Sequence, residues 1–92
     1  MHGEYKVPGG KLVVVDYEVA GGRLRNVQLS GDFFLEPPEA LATLVEALEG
    51  WAVDTPAEAL RGRLEDVIVA GRMTLVGFDA AAIATAVRRG LV

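Results

Sequence analysis

The sequence predicts an α+β domain: a three-stranded antiparallel sheet followed by three helices packed on one face. Three observations lead there. Apolar and polar residues alternate through the first third of the chain. Apolar residues then recur at three- and four-residue spacing through the second half. At 92 residues the chain has room for a single core, so residues 1–92 read as one domain.

The strands come first. Gly3–Val7 can form a short strand ahead of Pro8-Gly9-Gly10, a strong turn signal. From Lys11 to Ala20, Val13, Val15, Tyr17 and Val19 share one face while Asp16 and Glu18 take the other. Leu12 and Val14 add apolar surface to the second face, so the first half of this strand is expected to be covered on both sides. Gly21-Gly22 is a two-residue hairpin turn, because glycine accepts the positive φ such turns need. The return strand, Arg23–Ser30, sends Val27 and Leu29 inward and Gln28 outward. A third strand, Gly31–Leu35, follows almost without connection, with a bend or bulge at Gly31.

Pro37 and Pro38 close the strand region, and Pro38 suits the first turn of a helix. Over Glu39–Glu49, Leu41, Leu44, Val45 and Leu48 form one stripe, and Gly50 ends the run. Asp54-Thr55-Pro56 then reads as an N-cap followed by a first helical proline. The helix it opens carries Leu60, Leu64, Val67 and Ile68 on one side. Glu58, Arg61, Glu65 and Asp66 make its solvated face, and Gly71 closes it. Asp79 caps a third helix, Ala80–Arg89, with Ile83 and Val87 one turn apart. Arg88 and Arg89 sit in its last turn, where cations favour the dipole. The order is β-β-β-α-α-α, a meander with helices on one face.

Composition excludes several functions. Without cysteine there is no disulfide, iron–sulfur cluster or thiolate zinc site. The net charge is −4 and the nine basic residues are dispersed, the densest group being Arg61, Arg63 and Arg72. A nucleic-acid binder needs a basic surplus to neutralise phosphates, so nucleic acid is not an expected partner. No apolar run approaches the ~20 residues that span a bilayer. The N-terminus has no apolar segment of the signal-peptide kind, so a cytoplasmic location without membrane contact is expected.

Catalytic groups are scarce. The single histidine, His2, cannot build a metal site alone, and as the one base open to Ser30, Thr43, Thr55, Thr74 or Thr85 it is not expected to form a triad. Asp32, Glu36 and Glu39 are close in sequence, but a bend at Asp32 and a helix N-terminus near Glu36 and Glu39 explain them more simply than paired acid–base work. Lys6-Val7-Pro8-Gly9-Gly10-Lys11 is the segment of most interest. A glycine-rich turn between two lysines can offer backbone N–H groups and cations to a phosphate or carboxylate. It is not a Walker P-loop, since the spacing differs and no helix follows. A plain turn with two solvated lysines is the simpler account of the same residues.

Three segments in order give a more specific indication. Lys6-Val7-Pro8-Gly9-Gly10-Lys11-Leu12-Val13, Gly31-Asp32-Phe33-Phe34 and Pro38-Glu39-Ala40-Leu41 resemble the hallmark run of one family, the C-terminal accessory domain of lipoate–protein ligase. In some organisms that domain is a separate polypeptide. The leucine-rich helix ending at Gly50 and the last helix opening on Asp79 match as well, so the resemblance covers nearly the whole chain.

The resemblance implies a fold like that of the sulfur-acceptor and iron–sulfur scaffold proteins, whose cysteine chemistry cannot carry over to a cysteine-free chain. It also implies a role. The catalytic domain of such ligases binds lipoate and ATP with Mg, forms lipoyl-AMP and transfers lipoyl to a lysine of an acceptor domain. The accessory domain covers that site and is needed for adenylation. The expected partner is therefore a catalytic subunit, with lipoyl acceptor domains engaged indirectly. No catalytic residue and no cofactor are expected of this chain alone; lipoate and ATP/Mg belong to the shared site. Lys6, Gly9, Gly10 and Lys11 are the residues expected near ligand or phosphate, and Asp32, Phe33 and Phe34 those expected at the partner interface. Phe33 and Phe34 point to opposite faces of a strand, so one packs inward and the other is free to anchor a partner. The alternative is a non-catalytic binding or homodimerisation module for an acyl or lipoyl group.

Overall fold

In the computed structural model, which describes residues 1–92, three strands form an antiparallel meander. They are β1 (His2–Lys6), β2 (Leu12–Ala20) and β3 (Arg23–Gly31), in the sheet order β1-β2-β3. The period-two pattern explains which face is covered. Val13, Val15, Tyr17, Leu24, Val27 and Leu29 are buried on one side, while Leu12 and Val14 on the other are only half-buried. The expected cover on both sides of the early β2 residues is thus partial.

β3 contains a bulge that its sequence hides. The register slips between Asp16 and Glu18, so Tyr17 faces two residues of β3, and Asn26 takes φ 53°. The extra residue restores Leu24 to the inner face, three positions before Val27. The amide freed at Val27 donates to the Glu49 carboxylate at 2.5 Å, so this donor is not orphaned.

The residues read as a third strand behave differently. Gly31 ends β3 at φ 151°, and the chain leaves the sheet there. A Cβ at Gly31 would stand 2.1 Å from the Leu12 carbonyl oxygen, so only glycine allows this exit. Phe34–Glu36 then forms β4, which pairs antiparallel with β5 (Thr74–Val76), a strand the sequence pattern did not reveal. The third strand of the main sheet is instead supplied by the short N-terminal segment.

The helices are α1 (Ala40–Leu48), α2 (Ala57–Ala70) and α3 (Ala80–Gly90). α3 opens as expected, the Asp79 carboxylate accepting from the Ala82 amide at 2.8 Å. The start of α2 differs: Pro56 occupies the N-cap position, and the Thr55 hydroxyl donates to the Ala52 carbonyl instead of capping. Likewise α1 starts at Ala40, so Pro38 precedes the cap residue Glu39. Leu41 departs from its stripe and is exposed.

α3 lies against β1 and β2 through Ala80, Ala82, Ile83, Ala84, Ala86 and Val87, all buried. The small side chains let the helix come close. At Gly3 the approach is closest: a Cβ there would be 1.8 Å from the Ala86 carbonyl oxygen. The Tyr17 hydroxyl crosses the same layer to donate to Val87 O at 2.5 Å, and burial pushes its phenol above the ordinary value. The fold class read from the sequence, an α+β meander with helices on one face, is the one observed, with the β4–β5 ribbon added.

Candidate functional site

The five residues Val7–Lys11 join β1 to β2, and their neighbours hold them tightly. Within the turn, Val7 N–H donates to Lys11 O at 3.0 Å and Gly10 N–H to Val7 O at 2.8 Å. Lys11 N–H donates outward to Gly77 O at 2.8 Å, and Leu12 N–H donates to Asp32 Oδ1 at 2.8 Å. Two further glycines make the contact possible. A Cβ at Gly10 would be 2.6 Å from Gly77 O, and one at Gly77, whose φ is +88°, would be 2.3 Å from Lys11 Cγ. Phe33 continues the contact by stacking on Phe78, with ring centroids 4.0 Å apart and planes 22° apart.

Every site residue expected from the sequence therefore lies on one rim of the molecule. Lys6, at the end of β1, adjoins the turn that holds Gly9, Gly10 and Lys11; Asp32, Phe33 and Phe34 run beside it. Gly77 and Phe78, which the sequence analysis did not single out, lock the two together. The available signal was the β-branched and apolar run Thr74-Leu75-Val76 between Gly71 and the Asp79 cap, a short strand pattern ending on glycine.

The rim residues differ in what they leave free. Lys6 Nζ donates to Gly10 O at 2.6 Å and Val7 O at 3.2 Å, so its ammonium staples its own turn. Lys11 packs its stem over Gly77, and its ammonium has no hydrogen-bonded or ion-paired partner. Gly10 is closed off by Gly77, whereas Gly9, at φ +72°, has open space around it. Asp32 is engaged with the Leu12 amide. Phe33 is half-buried against the core, but Phe34 is 68% exposed beside the 55% exposed Val76, its cross-strand partner. The outcome is an apolar pair next to one free cation.

No catalytic constellation accompanies the rim. The hydroxyls of Thr43, Thr55 and Thr85 donate to nearby backbone carbonyls, and no serine or threonine contacts His2. Glu36 faces Thr74 across the ribbon, and Glu39 at the α1 N-cap makes no side-chain cap bond. No group of three or more His, Asp and Glu residues gathers to hold a metal ion.

His2 lies on the open face of the sheet between two acids, Nδ1 2.5 Å from Asp16 Oδ1 and Nε2 2.6 Å from Glu4 Oε2. These hydrogen bonds, to Glu4 first and then Asp16, raise its pKa above the ordinary 6.5. A raised pKa means that the clasp of β1 to β2 is complete below about 6.5 and is lost as pH climbs through the raised value. An NMR titration of the imidazole is expected to give a midpoint above that of free histidine; one at or below it would contradict the clasp.

No family model matches the chain, and no curated protein matches it. Among solved structures, it is similar to a chain from an archaeal lipoylation system of Thermoplasma acidophilum, comprising a bi-partite lipoate protein ligase and its E2 lipoyl domain. The TM-score is 0.73 at 24% identity, over 96% of this chain and 98% of that one. At that identity the likeness establishes a common fold. No helix of the chain is long and apolar enough to cross a membrane.

Proposed function

We propose that this chain is the accessory subunit of a bipartite lipoate–protein ligase, completing the lipoyl-AMP-forming site of a separate catalytic subunit. The observation that carries the reading is the convergence of the Lys6–Lys11 and Gly31–Phe34 segments on one rim, clamped by Gly77 and Phe78. These are the segments whose order resembles the ligase accessory domain. The fold shared with a chain of the Thermoplasma lipoylation system supports the same reading.

In this reading Phe34 and Val76 seat the chain on the catalytic subunit, and the turn faces the shared site. Lys11 supplies the cation there, stabilising phosphate or carboxylate charge as adenylation proceeds. Lys6 acts one step back, by holding the turn's carbonyls. Lipoate, ATP and Mg are held chiefly by the catalytic subunit, and this chain adds the Lys11 cation to the margin of the shared site. Lipoyl acceptor domains meet the complex through the catalytic subunit.

The alternative, an acyl- or lipoyl-binding module, needs a place for the chain. The apolar cavity between Trp51, Val53, Leu60 and Val87 is about 20 Å³, room for a water-sized group. The larger apolar depression between α2 and β5, about 440 Å³, is an open groove. Neither encloses a lipoyl group.

Size-exclusion chromatography of the chain with its cognate catalytic subunit is expected to give a one-to-one complex. Persistent separate elution would defeat the proposal. Within that complex, Lys11→Ala is expected to slow lipoyl-AMP formation roughly ten- to a hundredfold, with Lys6→Met acting more weakly through the turn. If both variants leave the rate unchanged, the electrostatic role is wrong.

A further inference from the structure

The far end of the sheet brings together three arginines that the sequence order conceals. Arg23 and Arg25 stand two apart on β3, next to the Gly21-Gly22 turn, while Arg63 belongs to α2. All three converge on the carboxyl end of α1. Arg23 Nη1 donates to Gly50 O at 2.9 Å, and Arg63 Nε donates to Ala47 O at 3.1 Å. Arg25 Nη1 lies over Gly50, 3.3 Å from where a Cβ would be. Arg63 is further ordered by the face of Trp51, 5.9 Å from the ring centre.

Helix capping explains only part of this arrangement. A guanidinium carries five N–H donors, and each of these three gives one to a backbone carbonyl. The other donors have no protein acceptor, and none of the three arginines is ion-paired. Of the carboxylates at this end, Glu49 is engaged by the Val27 amide and Glu18, across the sheet from Arg25, by the Asn26 side-chain amide, while Asp54 lies beside Arg23. Three guanidiniums thus keep spare donors beside three carboxylates, none of which is ion-paired to them. Arg23 and Arg63 border a cleft of about 260 Å³, lined also by Glu49, Gly50, Trp51 and Ala52, and Arg25 stands at its edge over Gly50.

We propose that this cleft is an oxyanion-binding site, taking a phosphate or carboxylate group through the spare donors of Arg23 and Arg63, with Arg25 adding its charge from the edge over Gly50. Planar guanidinium forks fit both groups in bidentate fashion. The volume suits one such group at the end of a ligand and is below the usual range for whole small-molecule pockets, roughly 300–1,000 Å³. The site is separated from the Lys6–Lys11 turn by the length of β2, roughly 25 Å. It stands independently of the ligase reading.

The test is an NMR titration of the full chain with inorganic phosphate at constant ionic strength, and with acetate in a second arm. Saturable shifts of the Gly50, Trp51 and Ala52 amides are expected. A response to phosphate alone assigns a phosphate ligand, and a response to both assigns an oxyanion seat that carboxylates share. Arg63→Lys, which replaces a fork by a point charge, is expected to weaken binding about tenfold. Arg63 also caps α1, so Arg25→Ala provides a second variant; its sole hydrogen bond is a 3.3 Å contact to the adjacent Leu24 carbonyl. It is expected to weaken binding about threefold or more. Shifts that do not saturate, or that persist unchanged in both variants, would mean an adventitious ion only and overturn the proposal.

Discussion

Gly31→Ala is expected to cost about 3 kcal/mol of stability and to lower the melting temperature by roughly 12–24 °C, on a scale of 4–8 °C per kcal/mol for a domain this small. Two costs combine. The backbone at φ 151° suits glycine alone, and such strain is worth about 1–3 kcal/mol. The added methyl would also meet Leu12 O at 2.1 Å and the Phe33 ring at 2.9 Å. Both neighbours are fixed, one in β2 and the other stacked on Phe78, so the strain has to be taken up by opening the rim. Gly9→Ala is the control: its φ is also positive, but nothing lies within 4 Å of the new Cβ. Its expected cost is about 1 kcal/mol. Thermal unfolding followed by circular dichroism separates the two; equal shifts would show that the Gly31 contact carries no load.

Phe34→Ala should leave the isolated chain's stability within about 0.5 kcal/mol, because the ring is 68% exposed. Its effect is expected in the complex. A large aromatic flanked by a second apolar residue and rimmed by polar groups is the usual form of an interface anchor, and removing one costs about 2 kcal/mol, roughly thirtyfold in Kd. Calorimetric titration against the catalytic subunit measures this directly. A Kd unchanged by Phe34→Ala would move the interface away from the β4–β5 ribbon, while weak binding by an unfolded variant is excluded by its melting curve.

Much of the frame was legible because its signals are local. Tyr17 and its alternating neighbours, the Gly21-Gly22 turn and the Asp79 cap each act within a few residues, and each is where the pattern placed it. The β4–β5 ribbon was not legible for the opposite reason. Phe34-Leu35-Glu36 and Thr74-Leu75-Val76 are three residues each, too short to establish a period, and they meet across two intervening helices. The bulge hid Leu24 because an inserted residue breaks the alternation that identifies an inner face. Gly3 carried no pattern at all, since its importance lies in the distance to α3.

The site followed the same rule. The turn and the Gly31–Phe34 segment could be singled out from sequence, but not that Gly77 and Phe78 join them. Nor was it visible that the two lysines part company, Lys6 turned onto its own turn and Lys11 left free. That division depends on where carbonyls end up after folding. The cluster of Arg23, Arg25 and Arg63 is the clearest case, since the sequence pointed instead to Arg61, Arg63 and Arg72. Arg61 is spent on Glu65 at 3.2 Å along the solvated face of α2.

The most direct test of the central claim is ATP-dependent lipoyl-AMP formation by the cognate catalytic subunit, measured with and without an equimolar amount of this chain. The account predicts that adenylate forms rapidly only when both are present. An equal rate without this chain would contradict it.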